Sequence, residues 1–382
     1  MSEINFDGLI GPTHNYSGLS EGNNASKKNF SSPSNPKNAA LQGIKKAETL
    51  IASGLKQGFF LPHERPFIPG LKKLGFNGTD EEILSSAFHH SKVLLSNFSS
   101  ASSMWAANAA TVSPGPDTQD DKVHLTPANL NTMFHRSIET EFTYKQCKII
   151  FPKNYFEIHN PAPTISGYGD EGAANHLRIS KSHNEKGFEI FVYGESGFKN
   201  DKTSVKRQAL EVSRSIAFNH KLDMENTFFL QQNHQAVKEG SFHNDIVSLS
   251  NESVFIAHEN AFQNKDDLNK VLNILKSKID NFQYIEISDS EIPLKDIISS
   301  YLLNSQLITN GDNEMQLILP EEVKGYENCM SWLDKLKQIS DVKLFDFVDI
   351  RQSMMNGGGP ACLRLKVILN DEELESLNQN FL

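Results

Sequence analysis

The sequence predicts an α/β fold assembled from repeated strand–strand–helix–strand units. Three observations carry this expectation. Residues 246–287 read as a hairpin, a helix and a further strand, in that order. Residues 305–347 repeat the order, and a third unit opens at Cys362, where a Gly-rich run meets strand alternation. Recurrence of one supersecondary unit is the mark of a modular architecture. No low-complexity linker divides the 382 residues, so a single domain is expected.

Each element follows from local chemistry. Residues 5–26, a polar Gly-rich stretch after a short apolar start, read as a loop able to cover a polar ligand. Asn35-Pro36 supplies a cap and first-turn proline for a helix ending at Gly54, with Ala40, Ile44, Ala47 and Ile51 on one face. Residues 61–70 are extended, because each proline biases its predecessor away from helix. Residues 99–114 are small and polar around Trp105 and Asn108, which suggests close packing beside a site. Residues 122–137 end in His135-Arg136, a cationic pair that fits a surface or a site equally. Residues 189–194 form a buried strand, and 204–220 a helix capped by Ser204 with a stripe at Ala209, Ser213, Ile216 and Ala217.

The second half is more regular. A hairpin over 246–262 turns at Ser250-Asn251, and a helix over about 266–281 places Leu268, Leu272, Leu275 and Ile279 on one face. The strand 282–287 completes the unit. Strands at 305–309 and 315–320 then join through Asn310-Gly311-Asp312, before a helix over about 320–338 and a strand at 342–347.

Composition excludes several classes. Net charge is −10, which argues against a nucleic-acid or anionic-membrane partner. No apolar run approaches the ~18 residues that span a bilayer, and the start of the chain does not read as a signal peptide. Cys147, Cys329 and Cys362 make an odd count without a CxxC pair, which fits a reducing cytoplasm.

Chemistry concentrates in three stretches. Gly357, Gly358 and Gly359 let the backbone turn tightly and approach a ligand before Cys362, a thiol held at the edge of a rigid strand. Residues 167–176 place Asp170, Glu171 and His176 among small residues, and 240–250 place His243 and Asp245 before a strand. Two apart on an extended backbone, His243 and Asp245 face the same way. Cys362, His243 and a carboxylate suffice for nucleophilic catalysis. The rival is a metal held by His243, Asp245, Glu171 and His176, but their spacing matches no metal motif. The other histidines read as packing or surface groups, His89-His90 as a solvated helix face.

FDGLIGPTHNYSGLSEGNNAS, HERPFIP, MWAANAATVSP, KVHLTPANLN, FHRS, GDEGAANH, FHNDIVSLSN, YLLNSQL and NGGGPACLRL occur in that order from Asn5 to about Leu369. Together they resemble the N-succinylarginine dihydrolases of bacterial arginine catabolism. The resemblance implies the pentein fold, a five-bladed α/β propeller of ββαβ modules. It carries a catalytic Cys, His and Glu onto Cys362, His243 and Glu171. Substrate contacts fall on Ser17, Gly18, Leu19, Ser20, Glu21, Gly22, Asn23, Asn24, Ala25 and Ser26, and on Asn108, His135, Arg136, Arg207, Asp245 and Asn356. It also implies a cytoplasmic homodimer acting on a small molecule, with neither metal nor organic cofactor. Relatives of this kind continue with a further helical segment, whereas this sequence stops at Leu382.

The implied substrate suits these residues. A guanidinium is planar, cationic and slow to react with water, and a thiolate is a far better nucleophile that also leaves readily. Carboxylates such as Glu171 and Asp245 match its fork, and a protonated His243 would favour the thiolate. Arg136, Arg207 and His135 are cations for the two carboxylates at the other end. A deiminase that stops after one ammonia, and a silent propeller that only binds an arginine-like ligand, are the alternatives.

Overall fold

The computed structural model describes residues 1–16, 19–20, 23–29, 32–196 and 207–382, without the side chains of Asn24 and Lys27. The expected unit recurs in five three-stranded sheets. Strands β1 (Ser2–Gly8) and β2 (Lys56–Phe60) lie in one sheet, and β3 (Ala110–Ser113), β4 (Val123–Pro127) and β5 (Phe156–Ile158) in the next. A third holds β6 (His176–Ile179), β7 (Phe188–Tyr193) and β8 (Thr227–Gln231); a fourth holds β9 (Ser248–Asn251), β10 (Val254–His258) and β11 (Gln283–Ile287). The fifth contains β12 (Gln306–Thr309), β13 (Met315–Pro320) and β14 (Val342–Val348), after which β15 (Arg364–Leu369) returns to pair with β1.

In every sheet the middle strand is antiparallel to the strand before it and parallel to the one after. Parallel neighbours need a crossover. Helices Pro36–Ala52, Thr140–Ile150, Leu210–Asn219, Lys265–Lys278 and Glu327–Ile339 supply it in turn. The first strands, β15, β3, β6, β9 and β12, line one cavity of about 140 Å³. They lie side by side around it, β15 against β3, β6 against β9 and β9 against β12. The modules therefore ring an axis.

The unit opening at Cys362 is completed by the start of the chain. β1 runs antiparallel to β15 from Ser2↔Leu369 to Asp7↔Arg364. Residues 5–8, expected in a loop, are thus strand. Their polarity disguised them, since Glu3, Asn5 and Asp7 are all buried on the face opposite Ile4 and Phe6. The helix Pro36–Ala52 also presents a different face. Ala47 and Leu50 are buried, whereas Ile44 and Ile51 are 43% and 55% exposed. Lys46 turns the helix, because its ammonium lies 2.7 Å from the buried Asp7 carboxylate.

Three further boundaries move. The extended run from Leu61 gives way to a helix at Ile68–Lys73, with Pro69 tolerated in its first turn. The hairpin turns at Glu252-Ser253, since Val254 pairs with Asn251, and Glu252 takes φ 45°. The helix read from 204 begins at Leu210, and Ser204 lies outside the described residues. Leu268, Leu272 and Leu275 do form the buried stripe of their helix, and His89 and His90 are exposed. Among the described residues no helix is long and apolar enough to cross a membrane.

The Lys46–Asp7 pair anchors the first crossover helix to β1. Removing one partner of a buried ion pair costs about 3–5 kcal/mol, because the other charge stays buried alone. Lys46→Met is expected to lower the urea unfolding free energy by about 3 kcal/mol. A loss below about 1 kcal/mol would show that the ammonium matters only as packing.

Candidate active site

Glu171 is wholly buried at the start of the short 3-10 turn Gly172–Asn175 that leads into β6. Its carboxylate is fully occupied. Oε2 accepts from Arg136 Nη1 at 2.5 Å and from His243 Nε2 at 2.7 Å, and Oε1 accepts from Thr132 Oγ1 at 3.0 Å. The backbone is held as well: Glu171 N–H donates to Gln208 Oε1 at 2.7 Å, and Asn108 Nδ2 donates to the Glu171 carbonyl at 2.7 Å. Burial raises its pKa, but Arg136, His243 and Arg207 outweigh this and hold the carboxyl well below the usual range.

An ionised carboxylate can only accept, so His243 carries its proton on Nε2. Its Nδ1 is buried and makes no hydrogen bond. Burial pushes the imidazole pKa down to about 4, Glu171 opposing and the two arginines reinforcing. His243 is therefore neutral at rest, not the protonated group expected from sequence.

Cys362 is 3% exposed and its Sγ lies 3.4 Å from Asp245 Oδ2. Burial and the Asp245 charge push the thiol well above its ordinary pKa. Burial also pushes the Asp245 carboxyl up to about 7, and its Oδ1 has no hydrogen-bond partner. Of the two carboxylates expected to take a guanidinium, Glu171 is committed to holding His243, while Asp245 has an open oxygen.

The tight turn expected before Cys362 is present at Gly357, and the protein's own side chains make close approaches to the glycines as well. A Cβ on Gly357, which takes φ +93°, would overlap the Asn23 side chain, and one on Gly358 would overlap the Trp105 indole. One on Gly359 would fall 2.6 Å from Asn304 Oδ1. The loop is bare so that the protein's own side chains can pack against it.

The cations divide. Arg136 is spent on Glu171. His135 is buried, with Nε2 3.4 Å from Ser20 Oγ, and burial with Arg136 and Arg207 pushes its pKa down to about 3, so it is no cation. Arg207 lies over the Phe242 ring at 4.5 Å; burial lowers its pKa to about 10, and it stays charged. It precedes the helix Leu210–Asn219 instead of opening it.

Of the expected covering loop, Ser17, Gly18, Glu21 and Gly22 lie outside the described residues. Asn24 opens a short helix, Asn24–Lys28, and Leu19 and Ala25 are half-buried. Asn23 Nδ2 donates to the Asn356 carbonyl at 3.0 Å and its Oδ1 accepts from Ser26 N–H at 3.0 Å. Ser26 Oγ accepts from Ser20 N–H at 3.1 Å. The loop thus reaches both His135 and the Gly-rich turn. Of the four residues of the metal reading, Glu171 and His243 bond each other, whereas His176 faces Glu189 at 2.7 Å. Among the described residues no group of three or more His, Cys, Asp or Glu could hold a metal ion.

Thr132, Gln208, Phe242 and Asn304 belong to the site and escaped the sequence reading. Each is neutral and sits one to four residues from a residue that was named, or within a quoted motif. Adjacency was the only signal available.

Asp245 offers a test through pH. The folded protein binds its proton more tightly than the unfolded chain, with the pKa moved from 3.8 to about 7. Its contribution is therefore present at low pH and lost as pH rises through that window, by at most about 1.4 kcal/mol per pH unit. Asp245→Asn removes the titration, so the stability of the variant minus that of wild type should increase between pH 5 and pH 8. Denaturant titrations showing a constant difference would mean that Asp245 ionises normally.

The succinylarginine dihydrolase (AstB) family profile matches residues 1–382. The chain is 45% identical over 388 residues to the N-succinylarginine dihydrolase of Idiomarina loihiensis, covering 100% of this chain and 86% of that protein. It is 46% identical over 384 residues to the protein of the same name from Hahella chejuensis, covering 98% and 85%. Among solved structures, the product-bound N-terminal domain of ArgZ, an arginine dihydrolase from the ornithine-ammonia cycle in cyanobacteria, matches with a TM-score of 0.59. That likeness covers 96% of this chain and 98% of the other at 14% identity, and speaks to fold alone: the five modules form a pentein propeller. The chain belongs to the succinylarginine dihydrolase family.

Proposed function

We propose that the chain, acting as a single catalytic domain, hydrolyses N2-succinyl-L-arginine to N2-succinyl-L-ornithine, two ammonia and carbon dioxide. The observation that carries this is two buried pairs, Cys362 with Asp245 and His243 with Glu171, linked through His243 and Asp245 on either side of Asn244. Asp245 Oδ1 accepts the guanidinium, and the bound cation draws both Asp245 and the thiol towards ionisation. Sγ adds to the guanidino carbon, its proton passing to His243 Nδ1 and from there to the departing nitrogen, which leaves as ammonia. Water, deprotonated by the same Nδ1, displaces sulfur and leaves a ureido group. A second attack by Cys362 expels the second ammonia, and water then releases a carbamate that loses carbon dioxide.

Glu171 orients His243 and stays ionised, while Arg207 takes a carboxylate at the succinyl end. The proposed steps use a thiol, an imidazole and water, so they call on neither metal nor organic cofactor. A cytoplasmic homodimer is proposed with them, supported by the family resemblance and by three unpaired cysteines.

Ammonia released per substrate consumed tests the reading. Two equivalents with succinylornithine are expected, and succinylcitrulline offered separately should also be consumed. One equivalent with accumulating succinylcitrulline would make the enzyme a deiminase. Cys362→Ser should lose turnover by several orders of magnitude, since an unactivated hydroxyl is the weaker nucleophile.

Arg207→Ala tests the clamp. Truncating one partner of a buried charge pair costs roughly 2–5 kcal/mol. kcat/KM for succinylarginine should fall accordingly, while the preference over free arginine narrows. Equal losses on both substrates would assign Arg207 a structural role instead.

A further inference from the structure

Asn304 lies between the two halves of the site and takes part in none of the steps above. It is wholly buried in the stretch before β12, in a different module from Asp245 and from Cys362. Its Nδ2 donates to the Asp245 carbonyl at 3.0 Å, and its Oδ1 accepts from Gly359 N–H at 2.8 Å. Its own carbonyl accepts from Ala361 N–H at 3.0 Å, and its N–H donates to the carbonyl of Tyr301, a residue at φ 56°. Nearby, Gln306 Nε2 donates to the Pro360 carbonyl at 2.6 Å. Residues 359, 360 and 361 are thus each held by residues 304 or 306. A Gly-rich turn has few side chains of its own to fix its peptide planes, so these external bonds decide where Cys362 stands.

We propose that Asn304 is a positioning residue for the reaction: one side-chain amide clamps the main chains of Asp245 and Gly359 and so sets the 3.4 Å contact between Cys362 Sγ and the Asp245 carboxylate. The inference rests on Cys362 being the nucleophile. Sulfur and carboxylate must address the same guanidinium, one from its face and one from its edge. A clamp on both main chains keeps them in register. Loosening it misplaces the nucleophile without removing any bond made by Arg207, so the defect belongs in kcat and not in KM.

Asn304→Asp keeps the size and the acceptor, removes the donor and sets a carboxylate near the thiol. Two readouts are taken, steady-state kinetics on succinylarginine and the pH profile of Cys362 alkylation by iodoacetamide, followed on the Cys362 peptide by mass spectrometry. The expected result is a kcat lower by about 10- to 100-fold with KM within about threefold, and an alkylation midpoint moved to higher pH. Gly359→Ala crowds the same clamp from the other side. It should reproduce the kcat defect and, combined with Asn304→Ala, add little to it. If Asn304→Asp is recovered unfolded, Gly359→Ala with Asn304 intact decides the matter. Unchanged kcat and unchanged alkylation in the folded variants would overturn the proposal, as would a raised KM at constant kcat. Alkylation needs no substrate, so a wild type without turnover would sink the Cys362 reading while Asn304 could still be judged.

Discussion

The antiparallel pairing of β1 with β15 is the constraint on which assembly of the site depends. Cys362 stands two residues before β15, and the loop that reaches His135 and the Gly-rich turn follows β1. The strands are joined by more than their ladder. Arg364 Nη1 contacts Glu3 and donates to Asn5 Oδ1 at 2.9 Å, and Lys366 Nζ lies 3.2 Å from Glu3. Burial raises the Glu3 pKa, but Lys366 and Arg364 overcome it and bring the group to about 2. Burial of Ile4 and Phe6 on one face already specifies the register, and the buried ion pairs on the other face penalise a slip further.

The site shifts similar carboxylic acids in opposite directions, Glu171 down and Asp245 up to about 7. Glu171 and Asp245 are both removed from water, yet Glu171 is kept ionised by adjoining cations and Asp245 is not. The difference follows from which groups face them. Arg136 and His243 bond Glu171 directly, whereas Asp245 has the Cys362 thiol on one oxygen and no partner on the other. Two roles are thereby separated. One acid fixes an imidazole, and the other keeps an open oxygen. Cys362 rests beside that second acid as a thiol.

Much of this was legible in the sequence, and the exceptions share a cause. The modules after residue 246 were readable because their strands are apolar and their helices amphipathic, so periodicity reports burial directly. β1 was missed because half its side chains are polar and buried. The face of helix Pro36–Ala52 was misread because a lysine, and not an isoleucine, occupies the interior. His135 looked cationic in sequence and is neutral in place, since neighbouring arginines come from the fold. Cys362, His243 and Glu171 stood out through their chemistry and through the family motifs. Asn304 did not, because an asparagine shows its importance only when the chains that it bridges are seen together.

The three glycines before Cys362 carry a consequence for how such a chain can vary. Each is hemmed in by a different side chain, Asn23, Trp105 and Asn304, contributed by separate segments. Asn23 follows β1, Trp105 precedes β3 and Asn304 precedes β12, so the turn is wedged among three modules at once. A side chain at 357 is refused by the backbone, at φ +93°, as well as by Asn23; one at 358 meets Trp105, and one at 359 meets both the side chain and the carbonyl of Asn304. The turn behaves as a junction at which drift in one blade is vetoed by two others.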